Sequence, residues 1–264
     1  MRVPRATAAS ASFADLHRTD APLLLPNAWD HASATAMARQ GFQAIGTTSL
    51  AVAAAAGRPD GASATRDETL RLALTLGSQP FLLSVDAECG FSDDPDEVAQ
   101  LARQLAAAGA VGINLEDALG PVARHVAKIA AVKSAVPALF VNARTDTYWL
   151  GEHGTAEHST AETLDRLDAY QQAGADGVFV PGLTDAQEIA VLVERVDVPL
   201  NILYSPAGPT VVHLAELGVS RISLGSLLYR RALGAALEAV DAVRAGRTPS
   251  GRTPTYQEVE SLAP

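Results

Sequence analysis

The sequence predicts a single α/β domain with the architecture of a (β/α)8 barrel of the TIM type. Its 264 residues are enough for one such barrel and a large buried core. Short apolar runs alternate with helical patterns along the chain, and the runs are apolar throughout, as expected of parallel strands buried on both faces. Eight such units fit a closed barrel better than a doubly wound sheet.

Composition narrows the class of protein and its partners. The chain is 48% hydrophobic and 19% charged, with a mean hydropathy of +0.11, which is typical of a soluble globular protein. A net charge of -10 repels phosphate backbones and anionic membranes, so we expect neither nucleic acid nor a membrane as partner. Residues 1–21 lack the apolar stretch of a signal peptide, and the single Cys89 cannot form an internal disulfide. We therefore expect a cytoplasmic protein.

The strands are predicted from the apolar runs, in the order in which they occur. Each run is rich in Val, Ile, Leu or Phe and ends at polar or turn-forming residues. The predicted strands span residues 23–27, 43–49, 80–86, 111–115, 138–143, 177–180, 200–203 and 221–224.

The helices are predicted from amphipathic patterns with recognisable ends. Gly41 is a typical stop signal, a capping-box pattern begins at Thr65, and Asp94 precedes a proline at the first helical position. Residues 51–64 are predicted to be an Ala/Gly-rich connection without a helix. The predicted helices span residues 30–40, 65–76, 94–108, 123–135, 159–173, 185–196, 210–217 and 226–244.

Three segments follow from this pattern. Residues 1–21 are predicted to be an irregular or partly helical segment, anchored by Phe13 and Leu16, that leads into the barrel. Residues 22–246 form the barrel. Residues 247–264 are predicted to be a tail that packs on a neighbouring subunit or frays.

The two lysines exclude one class of enzyme. Lys128 and Lys133 both lie within one predicted helix, so neither is placed at a strand end. Schiff-base aldolases and pyridoxal phosphate enzymes need a lysine at the site of chemistry. We therefore expect neither.

Carboxylates dominate the predicted carboxyl ends of the strands, where barrel enzymes carry their chemistry. Asp86 and Glu88 close the third strand, and alternation places them on one face, with Cys89 on the other. Glu116 and Asp117 close the fourth strand. Two carboxylates that close repel one another unless a cation or a proton lies between them. Because no His or Cys cluster accompanies them, the pattern predicts Mg²⁺, or Mn²⁺, rather than zinc.

Five motifs together resemble the isocitrate lyase and phosphoenolpyruvate mutase superfamily. They extend over roughly residues 24–244 and begin at Pro26 (PNAWD), Gly46 (GTTSL), Val85 (VDAECG), Ile113 (INLED) and Asn142 (NARTD). The resemblance implies the barrel fold, a 2-oxo or 2-hydroxy carboxylate as substrate, and a homodimer or homotetramer that exchanges C-terminal helices.

The resemblance also implies roles for individual residues. Asp86 is expected to bind magnesium directly, while Glu88, Glu116 and Asp60 hold its waters. The backbone amides of Thr48, Ser49 and Leu50 are expected to cradle a carboxylate. Arg144 is expected to bind the substrate, and Asn142, near the end of the same strand, is expected to be a further substrate-binding residue. The residues expected to take part in catalysis are Arg144, Glu116 and Asp60.

Several of these residues also have ordinary structural interpretations. Asp60 lies in a Pro-Asp-Gly sequence that suits a turn, and Arg144 can pair with Asp146. Asp117 points away from Glu116 if the strand continues, and Cys89 is expected to be a small buried residue rather than a nucleophile. Surface positions are expected for five histidines, although His125 follows the short lid and can approach the mouth. They are His31, His125, His153, His158 and His213.

The lid is where the chain departs from its relatives. In the lyases of the superfamily a long lid carries a catalytic cysteine motif, and in the mutases a Lys-Thr-Asn motif. Here residues 118–122 carry no ionisable side chain and lead directly into a helix. We therefore expect low activity, with the proton coming from solvent or from the loop of residues 147–158, which contains Glu152 and His153.

Two functions of different classes remain open from the sequence. One is a metal-dependent enzyme that cleaves a C–C or C–P bond of an oxaloacetate-, 2-oxoglutarate-, methylisocitrate- or phosphonopyruvate-like substrate through an enolate. The other is a protein that binds or senses a 2-oxo acid without turnover.

Overall fold

A ring of parallel strands forms the centre of the structure. The structure is a computed structural model that describes residues 12–150 and 156–263, and for residues 156–159 it describes only the backbone. The strands are β1 (Leu23–Leu25), β2 (Asn27–Ala28), β3 (Ala44–Thr47), β4 (Leu82–Asp86), β5 (Ala110–Glu116), β6 (Phe140–Arg144), β7 (Gly177–Val180), β8 (Leu200–Leu203) and β9 (Arg221–Ser223).

Ring closure depends on Pro26, which interrupts the first strand. On one side of it β1 pairs with β9, and on the other side β2 pairs with β3. The pairing order is β1-β9-β8-β7-β6-β5-β4-β3-β2, so β1 and β2 together occupy one of eight positions in the ring. All the pairings between these strands are parallel. The predicted (β/α)8 barrel is therefore confirmed.

Helices surround this ring and cover its outer face. They are α1 (His31–Arg39), α2 (Ser49–Ala56), α3 (Arg66–Leu76), α4 (Pro95–Ala107), α5 (Val122–Ala135), α6 (Ala156–Gln172), α7 (Ala186–Arg195), α8 (Val211–Glu216), α9 (Leu227–Arg244) and α10 (Tyr256–Glu260). No helix of the described residues is both long and apolar enough to cross a membrane.

The connection after β3 differs from its prediction. The strand ends at Thr47 rather than at residue 49, and Ser49–Ala56 forms α2 where a connection without a helix was predicted. The run of alanines that reads as a flexible connection is in fact a good helix former, and Gly57 ends it in the left-handed conformation. This places the start of α2 beside the end of β4.

The N-terminal segment packs against the amino ends of the strands, which we call the lower end of the barrel. Phe13 is buried against Leu25, Ala44 and Phe140, as its predicted role as an anchor requires. Gly112 leaves the space for it, because a Cβ there would lie 2.8 Å from the Phe13 ring. Phe13 thus fills the space between the amino ends of these strands.

The end of the C-terminal tail contacts α1 of its own chain, while most of the tail residues are exposed, so the expected packing on a neighbouring subunit stays a prediction. Thr255 caps α10, and the residues after α10 reach α1. Arg39 donates to the Ser261 hydroxyl at 2.8 Å, and a ring nitrogen of His31 lies 2.9 Å from the Leu262 carbonyl oxygen. These contacts tie the tail to the first helix of the barrel.

Candidate active site

The carboxyl ends of the strands surround a cavity of about 280 Å³. Its lining includes Asp60, Asp86, Glu116, Arg144 and Asp146. A second cavity, of about 450 Å³, lies at the lower end of the barrel near His17 and Leu200. The second is larger, but the acids predicted from the sequence meet at the first. We therefore place the chemistry at the carboxyl ends.

Asp86 is fixed from two sides at the last position of β4. Its backbone amide donates to the Thr47 hydroxyl at 2.9 Å, and its carboxylate accepts the Ser49 amide at 3.0 Å. Ser49 is the first residue of α2, so this amide carries the partial positive charge of a helix N-terminus. The charge of Asp86 is thus supported by the very helix that the sequence prediction missed.

Asp60 and Glu116 line the same cavity and feel the charge of Asp86. Burial raises the pKa of Glu116 to about 8, with a further contribution from Asp86, even though the Arg144 guanidinium lies 2.8 Å away. Burial and Asp86 also raise the pKa of Asp60. The cluster therefore holds more negative charge than its surroundings neutralise, which is the condition that favours a bound proton or a cation.

Glu88 lies next to this cluster but does not line the cavity. The strand ends at Asp86, and Glu88 has a positive φ of 47°, so strand alternation does not set its direction. Its carboxylate accepts the Thr65 hydroxyl at 2.6 Å and the Ser63 amide at 3.2 Å. Burial raises its pKa, and the charges of Asp86 and Asp60 add to this effect. Glu88 thus orders the loop between α2 and α3 within electrostatic reach of the cluster.

Arg144 combines the two interpretations that the sequence left open. Its guanidinium pairs with Glu116 at 2.8 Å and with Asp146 at 2.6 Å, and it also lines the cavity. Burial opposes its charge, but these acids outweigh the opposition and raise the pKa of Arg144. The guanidinium centre lies 5.9 Å from the Phe179 ring centroid. It is therefore a fixed positive charge facing the cavity.

The predicted substrate-binding residues fall into two layers. Thr48, Ser49 and Leu50 line the cavity at the start of α2. Asn142 lies lower, where its side chain is buried and donates to Asn114 at 2.8 Å. Only Asn114 of that pair lines the cavity. Asn142 is thus placed to support Asn114 rather than to contact a ligand.

The donor set suits a hard cation held largely through water. Within the described parts of the chain, no three Asp, Glu, His or Cys side chains converge closely enough to hold a metal ion directly. The carboxylates of Asp60, Asp86 and Glu116 nevertheless share one cavity, and burial and mutual repulsion raise the pKa of two of them. Mg²⁺ commonly keeps several waters and takes one or two carboxylates. These residues could hold such an ion.

Arg221 is a buried charge that sequence reasoning missed. It donates from Nε to Ser223 at 3.1 Å and from Nη2 to Asn114 at 3.2 Å, while Nη1 has no hydrogen-bond partner among the described residues. Burial lowers its pKa to about 9. It lies in the barrel core beneath the cavity, and Asp86 is the acid whose charge favours it most. The sequence feature that could have identified Arg221 is the presence of an arginine in a predicted strand that is buried on both faces.

Asp117 points away from the cavity and organises the short lid. Its carboxylate accepts Tyr170 at 2.7 Å, Arg166 at 3.0 Å, and the amides of Leu119 at 2.9 Å and Asp146 at 3.1 Å. These partners come from the lid itself, the segment after β6, and α6. Asp117 therefore serves the structure of the site rather than its chemistry.

His125 is buried, so the prediction of a surface position for it is wrong. Its ring lies 4.5 Å from that of Tyr170, and its Nε2 has no hydrogen-bond partner among the described residues. His125 lies on the buried face of α5, one and two turns before Ile129 and Val132. His213 is exposed and His31 is half-buried, whereas His153 and the side chain of His158 lie outside the described residues.

Cys89, expected to be buried, is half-buried, and neither it nor Lys128 lines the cavity. The Cys89 sulfur is 3.2 Å from the Ser63 hydroxyl, and Lys128 donates to the Cys89 carbonyl at 2.9 Å. Lys133 pairs with Asp176 at 2.7 Å. Neither lysine reaches the site of chemistry, in agreement with the sequence.

Comparison with known proteins decides the family. Residues 13–244 match the family model for phosphoenolpyruvate phosphomutase. The chain belongs to this family. Its resemblance to the isocitrate lyase and phosphoenolpyruvate mutase superfamily is thereby confirmed.

The proteins to which the chain is similar differ in what is known of them. The chain is similar to an uncharacterized protein of Mycobacterium tuberculosis, at 45% identity over 95% of both chains. It is also similar to a 2-methylisocitrate lyase of Bacillus subtilis, at 30% identity over 74% of this chain and 66% of that enzyme. A crystal structure from Burkholderia cenocepacia, provisionally assigned as a lyase or mutase, has 34% identity and a TM-score of 0.85, covering 96% of this chain and 94% of its own.

Proposed function

We propose that the chain is a metal-dependent enzyme that binds a 2-oxo carboxylate and cleaves a C–C or C–P bond through an enolate. The observation that carries this proposal is the cavity in which Asp60, Asp86 and Glu116 face Arg144. The membership of lyases and mutases in the family supports it. Oxaloacetate-, 2-oxoglutarate-, methylisocitrate- and phosphonopyruvate-like acids are the candidate substrates.

Magnesium, or manganese, is the proposed cofactor, held directly by Asp86 and through water by Asp60, Glu88 and Glu116. When bound, such an ion withdraws charge from the carboxylate and 2-oxo oxygens of a substrate and so favours an enolate. Glu88 does not line the cavity. We include it because it is near enough for the charge of Asp86 to raise the pKa of Glu88.

Arg144 and the start of α2 are proposed to hold the substrate. A guanidinium can donate two parallel hydrogen bonds to a carboxylate, and Arg144 is already held rigidly by Glu116 and Asp146. The Ser49 amide already donates to Asp86, so at the start of α2 the Leu50 amide is the one proposed to favour a substrate anion. Together they fix the acid end of the substrate beside Asp86.

Glu116 is proposed to hold a proton close to the reacting atoms. With a pKa of about 8 it is largely protonated near neutral pH before a cation binds. Asp60, whose pKa is also raised, lies in the same cavity. A cation held by these carboxylates would displace their protons, so in the metal-loaded site we expect the proton to come from solvent or from the loop of residues 147–158, since the lid residues 118–122 have no ionisable side chain. Glu152 and His153 of the alternative loop lie outside the described residues.

The short lid favours a second candidate function, a 2-oxo acid binding or sensing protein without turnover. Ala118 and Leu119 have left-handed φ values of 46° and 56°, and Asp117 holds their segment in place. A fixed connection does not close over a substrate to exclude water.

Calorimetry with 2-oxo acids in the presence of Mg²⁺, combined with a screen for release of pyruvate or glyoxylate, separates the two functions. An enzyme binds at least one acid and releases product from it. A binding protein shows affinity without bond cleavage across the panel, and that result would overturn the enzyme proposal. No affinity for any acid would overturn both.

A further inference from the structure

The interior of the barrel carries polar side chains where branched apolar ones are usual. Five of them are each at most 7% exposed: Asn114 of β5, Asn142 of β6, Asn201 of β8, and Arg221 and Ser223 of β9. Asn114 and Ser223 line the cavity, and we call the surface that they form its floor. Burial of polar groups is unfavourable unless they are well paired, so packing alone does not account for this floor.

Arg221 is poorly paired for a buried cation. In the ring of eight positions β9 lies opposite β5, and the Arg221 side chain crosses the barrel from β9 to reach Asn114. Its hydrogen-bond partners are two neutral oxygens, those of Asn114 and Ser223, and its Nη1 has no partner among the described residues. An apolar side chain of similar volume is often at least as stabilising as a buried charge. Stability therefore does not explain an arginine at this position.

Asn114 is held in one orientation by Arg221. A guanidinium only donates hydrogen bonds, so the atom that lies 3.2 Å from Nη2 is the amide oxygen Oδ1 of Asn114. The same oxygen accepts the Asn142 amide at 2.8 Å, and these two bonds use both of its lone pairs. The Nδ2 of Asn114 donates to none of the described residues. It is therefore the end of this side chain that is left for a ligand in the cavity.

Ser223 is held in a similar way on the opposite side. Its hydroxyl oxygen accepts Nε of Arg221 at 3.1 Å and Nδ2 of Asn201 at 3.0 Å. These bonds use both lone pairs, so the hydroxyl can form a further hydrogen bond only as a donor. It donates to none of the described residues, and Ser223 lines the cavity. A charged donor also polarises the hydroxyl and strengthens the bond that it gives.

Other polar groups at the end of β9 already have partners. The Oδ1 of Asn27 accepts the amides of Leu224 at 3.1 Å and Gly225 at 2.8 Å. The hydroxyl oxygen of Ser226 accepts a guanidinium of its own helix, α9, at 3.2 Å. The two amides are therefore taken, whereas the Ser223 hydroxyl still has its hydrogen to give.

We propose that Arg221 is a positioning residue that holds Asn114 and Ser223 as hydrogen-bond donors towards the bound acid. Arg221 does not line the cavity, so it acts through these two side chains. The inference rests on the proposed function, from which it takes the acid and its enolate. Donors that are already in place favour an oxygen that carries negative charge, because they need not reorganise as the charge develops. The floor should therefore bind a mimic of the enolate better than it binds a neutral 2-oxo group.

Calorimetry of the intact protein with saturating Mg²⁺ tests the inference with two probes. Oxalate is planar and carries negative charge at both ends, like the enolate of pyruvate, whereas the 2-oxo oxygen of pyruvate is neutral. Arg221→Met should weaken oxalate by about tenfold or more and pyruvate by less than about threefold. Arg103→Met, at an exposed position on α4, is the matched control and should change neither affinity.

Two results of this experiment are decisive against the inference. If Arg221→Met weakens both probes by the same factor, or weakens neither, Arg221 does not set the preference for a charged oxygen, and the proposed function still stands. If the unaltered protein binds neither probe, the proposed function and the inference both fail.

A double-mutant cycle tests whether Arg221 acts through its partners. The paired substitution Asn114→Ala and Ser223→Ala should itself weaken oxalate by about tenfold or more. Addition of Arg221→Met should then cost less than about twofold, because residues that act as one unit are not additive. A further loss of about tenfold would show that Arg221 acts on the ligand by its own charge, which would overturn the inference.

Ser223→Ala alone decides the case if the larger variants do not fold, because it leaves the bond between Arg221 and Asn114 intact. It should weaken oxalate by about threefold or more and leave pyruvate unchanged. Unchanged affinity for oxalate would show that the Ser223 hydroxyl does not serve the ligand, and the inference would be wrong.

Discussion

At the scale of single residues, the site is a balance between buried acids and few positive charges. Asp86 has a helix amide as a partner, Arg144 is shared between Glu116 and Asp146, and Glu116 retains a raised pKa. The identities of these residues could be read from the strand ends in the sequence. The sequence does not show which of them line the cavity and which lie behind it, as Glu88 and Asn142 do. That depends on where β4 ends and on the depth of each side chain in the barrel.

Two buried histidines make the free energy of unfolding depend on pH. Burial lowers the pKa of His125 to about 4 and that of His17 to about 3. Between the ordinary histidine pKa of 6.5 and these values the unfolded chain binds protons that the folded chain does not. These histidines therefore destabilise the fold progressively as the pH falls below about 6.5.

The variant His125→Gln isolates this contribution from the opposing effect of the buried acids. We expect the free energy of unfolding, measured by urea denaturation between pH 7 and pH 4.5, to fall less steeply in the variant, by on the order of 2 kcal/mol at the lower pH. The variant His213→Gln, at an exposed position, should keep the wild-type slope. Identical slopes for His125→Gln and the wild type would show that His125 does not stay neutral in the fold.

At the scale of elements, the segment after β5 is a short connection that Asp117 holds in place. Ala118 and Leu119 both adopt left-handed backbone conformations, which cost energy for residues other than glycine. Asp117 offsets this cost by accepting four hydrogen bonds from three parts of the chain. The short lid was visible in the sequence, but its anchoring was not, because Tyr170 and Arg166 lie about 50 residues further along the chain.

Removal of the Asp117 carboxylate should therefore be strongly destabilising. Asp117→Ala leaves the buried Tyr170 hydroxyl and two backbone amides without their acceptor, and we expect a loss of about 3–5 kcal/mol in urea denaturation. Asp241→Ala removes an exposed acid that pairs with the exposed Arg244, and it should cost less than about 1 kcal/mol. A similar small loss in both variants would mean that Asp117 does not anchor the lid.

At the scale of the whole molecule, α9 is a helix with an unpartnered apolar face. Leu233, Leu237, Val240 and Val243 are all more than half exposed, and their spacing places them along one side. The sequence predicted an association surface from Leu227, Leu228, Leu233, Ala236 and Leu237. The two sets share Leu233 and Leu237, which makes this pair the natural target for a test.

We expect the protein to be a dimer or tetramer at micromolar concentration in light scattering, because association covers this apolar face. The double substitution Leu233→Lys and Leu237→Lys should reduce the mass towards that of a 27.4 kDa chain. Leu74→Lys, an exposed leucine elsewhere, should not. A monomeric mass for the unaltered protein would refute the predicted association.

The barrel itself was the most predictable feature, because eight apolar runs with helices between them leave few alternatives. The prediction failed at α2, because its alanines give no amphipathic pattern. The tail carries too few apolar residues for the sequence to show its contacts with α1. Contacts with α1 decide the position of the tail, and no sequence pattern reports them.

The most direct test of the account is whether binding of a 2-oxo acid requires a divalent cation at Asp86. Calorimetry with pyruvate and 2-oxoglutarate should detect binding in the presence of Mg²⁺, and a chelator should abolish it. The variant Asp86→Ala should not bind either acid even with excess Mg²⁺, whereas Asp93→Ala should bind both as the wild type does. Retained affinity in Asp86→Ala, or affinity unaffected by the chelator, would contradict the account.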